Sequence, residues 1–406
     1  MPTGFQVAAP PRGAAPLFSS LLGERQDHRR DGLGHADRDG SPANPVSSAY
    51  GARLDGRVFP ALVHPPKARP GDKVAVVSPA FAAPAVAPAV HEQALARIRD
   101  VLGLEPVEYR TTRRLEATPE DRAADLNAAF GDPEVRAVLA TIGGDDQITV
   151  IPYLDPDLVR ADPKPYLGYS DNTNLLSWLW TQGVAAFHGG STQVQVGAGP
   201  GLDDIHLRSL RAALIDGGQL EITEPGESED FGVRWQEPAA LTSYGDREPT
   251  EPWTWDGPDR LVIGPTWGGC IEVLQWILTA GRFPADPSVL AGGILLLESS
   301  EELIPASEFG YITRSLGERG LLAAVDAVVV ARPPSSTHEH RPDAAARAAH
   351  RAAQRDVALD QIRRYNADAV IVVGVPFGHT RPQWVLPYGG EMIVDSRARR
   401  VWADFG

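Results

Sequence analysis

The feature that most restricts this chain is an alternation. From residue 73 to residue 183, short β-branched apolar runs take turns with stretches of helical spacing. Lys73-Val74-Ala75-Val76-Val77 is bounded by turn formers and reads as a buried strand. Residues 86–104 then place Val90, Leu95, Ile98, Val101 and Leu102 on one helical stripe. "EPVEYR" at 105–110 is a second strand, and "TPEDRAADLNAAFGDP" at 118–133 opens on a Thr-x-x-Asp cap and stops at Gly-Asp-Pro. "VRAVLATIGG" ends a third strand in paired glycines, 146–163 supply a further helix, "KPYLGYS" a fourth strand and "NTNLLSWLWTQG" its helix. Strand and helix in turn imply βαβ units and a parallel sheet, with ligands gathering at the carboxyl ends of the strands. Gly143, Gly144 and Ser170 all fall at such ends.

The pattern divides the chain. Residues 1–60 are rich in Pro, Gly, Ser and mixed charge, offer little to bury, and are expected to be disordered. Residues 66–200 form a flavodoxin-like α/β domain. Residues 201–256 form an acidic, Pro-rich bridge holding Trp235, Trp253 and Trp255. Residues 257–406 form a second, mixed α/β domain that closes on alternating, antiparallel-type segments.

Of 406 residues, 38 are basic and 53 acidic, a net charge of −15. That disfavours nucleic acid and anionic membranes as partners, since both need a basic face. The single cysteine, Cys270, allows no internal disulfide. With no leader pattern and no apolar run long enough to span a bilayer, a cytoplasmic location is expected. No phosphate-binding glycine motif supports a nucleotide cofactor. "HEH" (His338, Glu339, His340) is a weak zinc candidate, because neighbours on an extended chain point apart. No metal or cofactor is expected.

Three reactive side chains each stand just beyond a buried strand. Ser170 sits at a strand–helix turn, Glu298 ends Ile294-Leu295-Leu296-Leu297, and His379 follows Val370–Val375 and Pro376-Phe377-Gly378. A serine nucleophile needs a base, and the base needs a group to orient it. Imidazole titrates in the useful range, and a carboxylate stabilises the imidazolium. Backbone N–H groups of Asp171 and Gly144 are candidate oxyanion donors. Each residue also has a plainer reading: Ser170 as a helix cap, Glu298 as a solvated strand end, His379 as a loop residue. A GxSxG elbow is absent, because Asn172 stands where its second glycine would be.

Six stretches in order carry a resemblance: "TIGGDDQITVIPYLD", "KPYLGYSDNTNLL", "HGG", "GGCIEVLQWIL", "GGILLLESSEE" and "GVPFGHTRPQWVLPYGG". Together, across about residues 66–400, they resemble the LD-carboxypeptidase family of serine peptidases. "GGDD" and the Trp-bearing bridge resemble its microcin C self-immunity branch. The resemblance implies a Ser170–Glu298–His379 triad at the junction of two domains, with Gly144 and Asp171 as oxyanion donors. It also implies a homodimer and a small peptide or peptidyl-nucleotide substrate. Murein tetrapeptide is the alternative substrate, and a non-catalytic binder on the same scaffold the alternative class. Gly143, Asp145, Trp235 and Cys270 become candidate substrate contacts, Trp235 either stacking on a flat group or packing on its own domain. Two departures stand out. Cys270 replaces an asparagine usual in the family, and its own residues suggest a small buried side chain and not a nucleophile. Arg332-Pro333-Pro334 stands where the immunity branch tends to carry an acid, with Glu339 farther on.

Overall fold

The structure, a computed structural model, describes residues 62–406. The expected disorder of residues 1–60 lies outside the described residues. Strands β1 (Lys73–Val77), β2 (Glu105–Glu108), β3 (Val135–Ala140), β4 (Tyr166–Gly168) and β5 (Ala186–His188) pair in parallel in the order β2-β1-β3-β4-β5. This is the sheet the alternation implied, and its central strands are buried on both faces as continuous apolar runs.

The later strands are β6 (Gln219–Ile222), β7 (Glu227–Ser228), β8 (Glu248–Pro249), β9 (Thr254–Asp256), β10 (Leu261–Cys270), β11 (Ile294–Glu298), β12 (Ala327–Ala331), β13 (Val370–Val375), β14 (Leu386–Tyr388), β15 (Glu391–Asp395) and β16 (Arg400–Asp404). Among the described residues the second sheet runs β6-β16-β15-β10-β11-β12-β13-β9. Its centre, β10 to β13, is parallel, and both flanks are antiparallel. The stretch 201–256 supplies both edge strands of that sheet, β6 and β9, and the short ribbon β7–β8. Conversely β14, late in the chain, returns to the first sheet and pairs with β5.

One local expectation is corrected. Residues 146–163 do not form one helix. Pro152 and Pro156 cut them into short turns at Gln147–Thr149 and Ile151–Tyr153 and a helix at Pro156–Ala161, since proline cannot donate to a preceding turn. The helix Asp204–Arg211 loosens into a wider-wound turn at Ala212–Asp216. Elsewhere local chemistry prevails: the Thr118 hydroxyl accepts from the N–H of Asp121 and opens the helix Pro119–Gly131.

The sheets meet along an apolar seam. Leu175, Leu176 and Leu179 of the helix Thr173–Thr181 share a buried cluster with Ile271, Leu274 and Ile277 of the helix Ile271–Thr279 and with Leu295 and Leu297 of β11. Each such side chain contributes roughly 1.5–3 kcal/mol on full burial. The seam therefore holds the carboxyl ends of β4 and β11 against one another.

Candidate active site

The first sheet delivers Ser170. β4 ends at Gly168, the chain turns, and a single tight turn at Ser170–Asn172 leads into the helix Thr173–Thr181. Ser170 holds φ +63°, a left-handed conformation that costs a side-chain-bearing residue of order 1–3 kcal/mol. Its hydroxyl caps neither helical segment, so the capping reading fails. The neighbours enforce the strained turn. Asn172 accepts from the Tyr166 hydroxyl at 2.6 Å and from Gln147 Nε2 at 2.8 Å, and its Nδ2 donates to the carbonyls of Ile142 and Tyr169. Asp171 is fully buried and accepts from Gln147 N–H and Asn174 Nδ2, both at 2.8 Å. Burial raises its carboxyl to about 6.

Of the paired glycines after β3, the first presses on this turn and the second on the segment after β1. A Cβ on Gly143 would lie 2.7 Å from Ser170 Cβ, 2.8 Å from its Oγ and 3.1 Å from the N–H nitrogen of Asp171. A Cβ on Gly144 would meet Ala80 and the backbone of Phe81. Only glycine lets the two backbones come this close.

The second sheet delivers the other two. Glu298 is the last residue of β11 and 1% exposed, not a solvated strand end. Its Oε2 lies 2.6 Å from His379 Nδ1, a charge-assisted distance. Gly378 makes the approach possible, since a Cβ there would stand 2.9 Å from Glu298 Cβ and 3.0 Å from Oε2. The His379 ring is also held edge-on by Tyr169, the residue before Ser170, at a centroid distance of 4.9 Å. The imidazole thus bridges the two sheets, with Glu298 on one side and the serine turn on the other. Burial alone would lower the His379 pKa. The carboxylates of Glu298 and Glu301 outweigh it and raise the group to about 9.

The remaining candidates scatter. Cys270 ends β10 directly opposite Glu298 in the ladder, is 1% exposed, and donates its thiol to Glu272 at 3.2 Å. Burial and nearby carboxylates push that thiol well up, so it stays protonated. Asp145 is exposed beside Gly144. Trp235 is half-buried and packs on a small cluster of Val90, Ala198 and Ala240. His338 lies against the Phe231 ring and Glu339 pairs with Arg234, so the two side chains serve separate contacts. Arg332 is 2% exposed and is gripped by Asp230, Glu248 and Glu251 of the bridge.

Sequence reasoning missed three neighbours. Gln147 ties Asp171 and Asn172 together, and its place in "GGDDQ" was the available signal. His188, fully buried at the end of β5, holds Nε2 3.9 Å from the second oxygen of Glu298. Glu301 sets a carboxylate oxygen 3.1 Å from His379 Nε2. The "HGG" and "ESSEE" stretches marked both positions without saying what they touch.

Comparison with known proteins bears on this arrangement. The LD-carboxypeptidase N-terminal domain matches residues 74–189 and the LD-carboxypeptidase C-terminal domain residues 263–394. A relative from Vibrio cholerae, a carboxypeptidase by name, is 30% identical over 269 residues, covering 64% of this chain and 77% of its own. The Microcin C7 self-immunity protein MccF of Escherichia coli is 26% identical over 281 residues, covering 68% of this chain and 76% of its own. A solved structure of MccF in complex with aspartyl sulfamoyl adenosine has a TM-score of 0.72 at 21% identity, covering 84% of this chain and 98% of the other. At that identity the likeness speaks for the fold.

Proposed function

This chain belongs to the LD-carboxypeptidase family of serine peptidases, in its MccF-like branch, and from that premise we propose that it hydrolyses an amide-type bond in aminoacyl- or peptidyl-nucleotide conjugates, detoxifying them. Ser170 Oγ attacks the carbonyl carbon while its proton passes to His379 Nε2. Glu298 holds His379 through Nδ1 and stabilises the imidazolium. The N–H groups of Gly144 and Asp171 receive the oxyanion. Collapse breaks the C–N bond, and His379 returns the proton to the leaving nitrogen. Water then cleaves the acyl-serine through the same base. Gly143, against Ser170, and Asp145 are the substrate contacts of this reading; Trp235 and Cys270 would join them only if their present packing on Val90, Ala198 and Ala240 and on Glu272 gave way. The reading carries a cytoplasmic location and a homodimer with it.

One observation supports this most: a buried Glu298–His379 pair at 2.6 Å, seated against a serine turn held at φ +63°. The nucleotide class leans on the likeness to a protein that binds aspartyl sulfamoyl adenosine. The family's LD-carboxypeptidase description and a relative named murein tetrapeptide carboxypeptidase in Pseudomonas aeruginosa favour a second reading, release of terminal D-alanine from murein tetrapeptide. Incubation with both compounds, followed by mass spectrometry, separates them. Acceptance of the nucleotide conjugate and loss of that activity in Ser170→Ala are expected. Cleavage of the tetrapeptide alone selects the second reading. Ligand binding without turnover selects a non-catalytic protein.

A further inference from the structure

His379 is approached by carboxylates from both ends of its ring. Glu298 takes Nδ1. At the other end, Glu301 lies 3.1 Å from Nε2, the atom that must accept the proton of Ser170 if the hydrolase reading holds. The two contacts differ in kind. Nδ1 to Glu298 is a hydrogen bond to a fully buried carboxylate. Nε2 to Glu301 has ion-pair distance without hydrogen-bond direction, so Nε2 is a buried polar atom with no hydrogen-bond partner among the described residues. The His379 side chain is 7% exposed, whereas that of Glu301 is 64% exposed. Glu301 makes no ion pair with lysine or arginine among the described residues, and neither does Asp145. Asp146, the next acid, is already neutralised by Arg122. Among the described residues Glu301 therefore has no cationic partner other than His379.

A carboxylate in this position has two consequences. It favours the protonated imidazole, and a base that already holds its proton cannot take another. Its exposure makes it cheap to move, because pairs involving solvent-exposed charges contribute little. A cation arriving at the rim would give Glu301 a better partner and release Nε2, whose proton then leaves to solvent.

We propose that Glu301 is a specificity-determining residue that binds an ammonium group of the substrate and, in doing so, uncovers His379 Nε2. This rests on the hydrolase reading for its catalytic meaning, while its binding part stands alone. The groups that face His379 are Glu298 at the end of β11, Glu301 in the loop after it, Glu272 of the helix Ile271–Thr279, His188 of β5 and Tyr169 of the serine turn. Of these, Glu301 alone is largely exposed and free to change partner. His188 is buried and held neutral, its pKa lowered to about 3 by burial.

The test uses the full chain with two probes, aspartyl sulfamoyl adenosine and its N-acetyl derivative, which lacks the ammonium. Binding is measured calorimetrically in Ser170→Ala and in Ser170→Ala/Glu301→Gln. The ammonium probe should lose about 10- to 100-fold in affinity with the second substitution, and the acetylated probe should be unchanged. Nuclear magnetic resonance titration of His379 in wild type and Glu301→Gln should show a lower midpoint in the variant, and in wild type on adding the ammonium probe. Equal affinity of the two probes, no binding of either, or an unmoved His379 midpoint overturns the proposal. Hydrolysis judges the underlying reading separately. If Ser170→Ala still turns over substrate, that reading falls. If it is inactive while Glu301→Gln keeps the ammonium preference, this inference alone falls.

Discussion

Two of the buried charged clusters among the described residues are finished differently. Around Arg332 the guanidinium is satisfied on every nitrogen: Nε by Glu251 at 3.1 Å, one terminal nitrogen by Asp230 at 2.8 Å, the other by Glu248 at 3.1 Å. Asp230 accepts further bonds from Ser335 and Ser336, and Arg351 joins through Glu251 at 2.6 Å and Glu248 at 2.9 Å. Around His379 the account does not close. Glu298 Oε1, His379 Nε2 and both ring nitrogens of His188 are buried without a hydrogen-bond partner among the described residues. Buried polar groups are normally paired, so a saturated cluster points to fastening and an unsaturated one to a missing reactant. The Arg332 cluster ties the bridge to the strand end of β12. The His379 cluster keeps acceptor and donor capacity in reserve.

The largest expected effect breaks the second cluster's function without touching its fold. Ser170→Ala should lower kcat/KM by roughly 10⁴-fold or more while the melting temperature stays within a degree or two. Next comes the converse. Arg332→Met leaves Asp230, Glu248 and Glu251 facing one another, and about 3–5 kcal/mol of stability should be lost in urea denaturation. Turnover per folded molecule should change little. If Arg332→Met instead abolished turnover in folded protein, the division of labour would be wrong.

Gly378→Ala lies between the extremes. Its new methyl would press on Glu298 at 2.9–3.0 Å and on Ala331 at 3.1 Å. A shift of the His379 loop should cost about 10²-fold in rate and about 1–3 kcal/mol in stability. The pH responses should oppose one another. His379 is raised from 6.5 to about 9, so the stability its partners confer is fully present below 6.5 and fades as pH rises through about 9. Asp230 is pushed up by burial, but Arg332 and the serine donors outweigh this and hold it below 3.8. Its contribution is present above 3.8 and is lost as pH falls through its lowered value. Melting curves of His379→Gln should therefore converge on wild type at alkaline pH, and those of Arg332→Met at acid pH. The smallest effect belongs to the rim of the fastened cluster. Glu251 is 44% exposed, and Glu251→Gln should cost no more than about 1 kcal/mol in the same denaturation assay.

Much of this was legible in the residues. Short apolar runs placed β1, β3, β4, β11 and β13, because strands buried on both faces are largely apolar. The positions of Ser170, Glu298 and His379 just past such strands were equally plain. What the sequence hid is contact across distance. Nothing local says that β14 leaves its neighbours to pair with β5, or that the acidic bridge supplies both edges of the second sheet. The strain at Ser170 was hidden by the missing second glycine. Asn172 does that job instead, with its Cβ where a side chain on Gly168 would stand at 2.7 Å. Arg332 looked like a lost acid and is a fastener, because its partners lie some hundred residues upstream. Glu301 is invisible to spacing altogether, since its meaning comes only from a ring nitrogen 3.1 Å away.

The central claim is that Ser170 is activated by His379. Reaction of the protein with a fluorophosphonate, followed by peptide mass mapping, tests it directly. The account predicts a single phosphonyl adduct on Ser170, and labelling slowed by at least about 10²-fold in His379→Ala. An unlabelled Ser170 in folded protein, or labelling indifferent to the loss of His379, would contradict it.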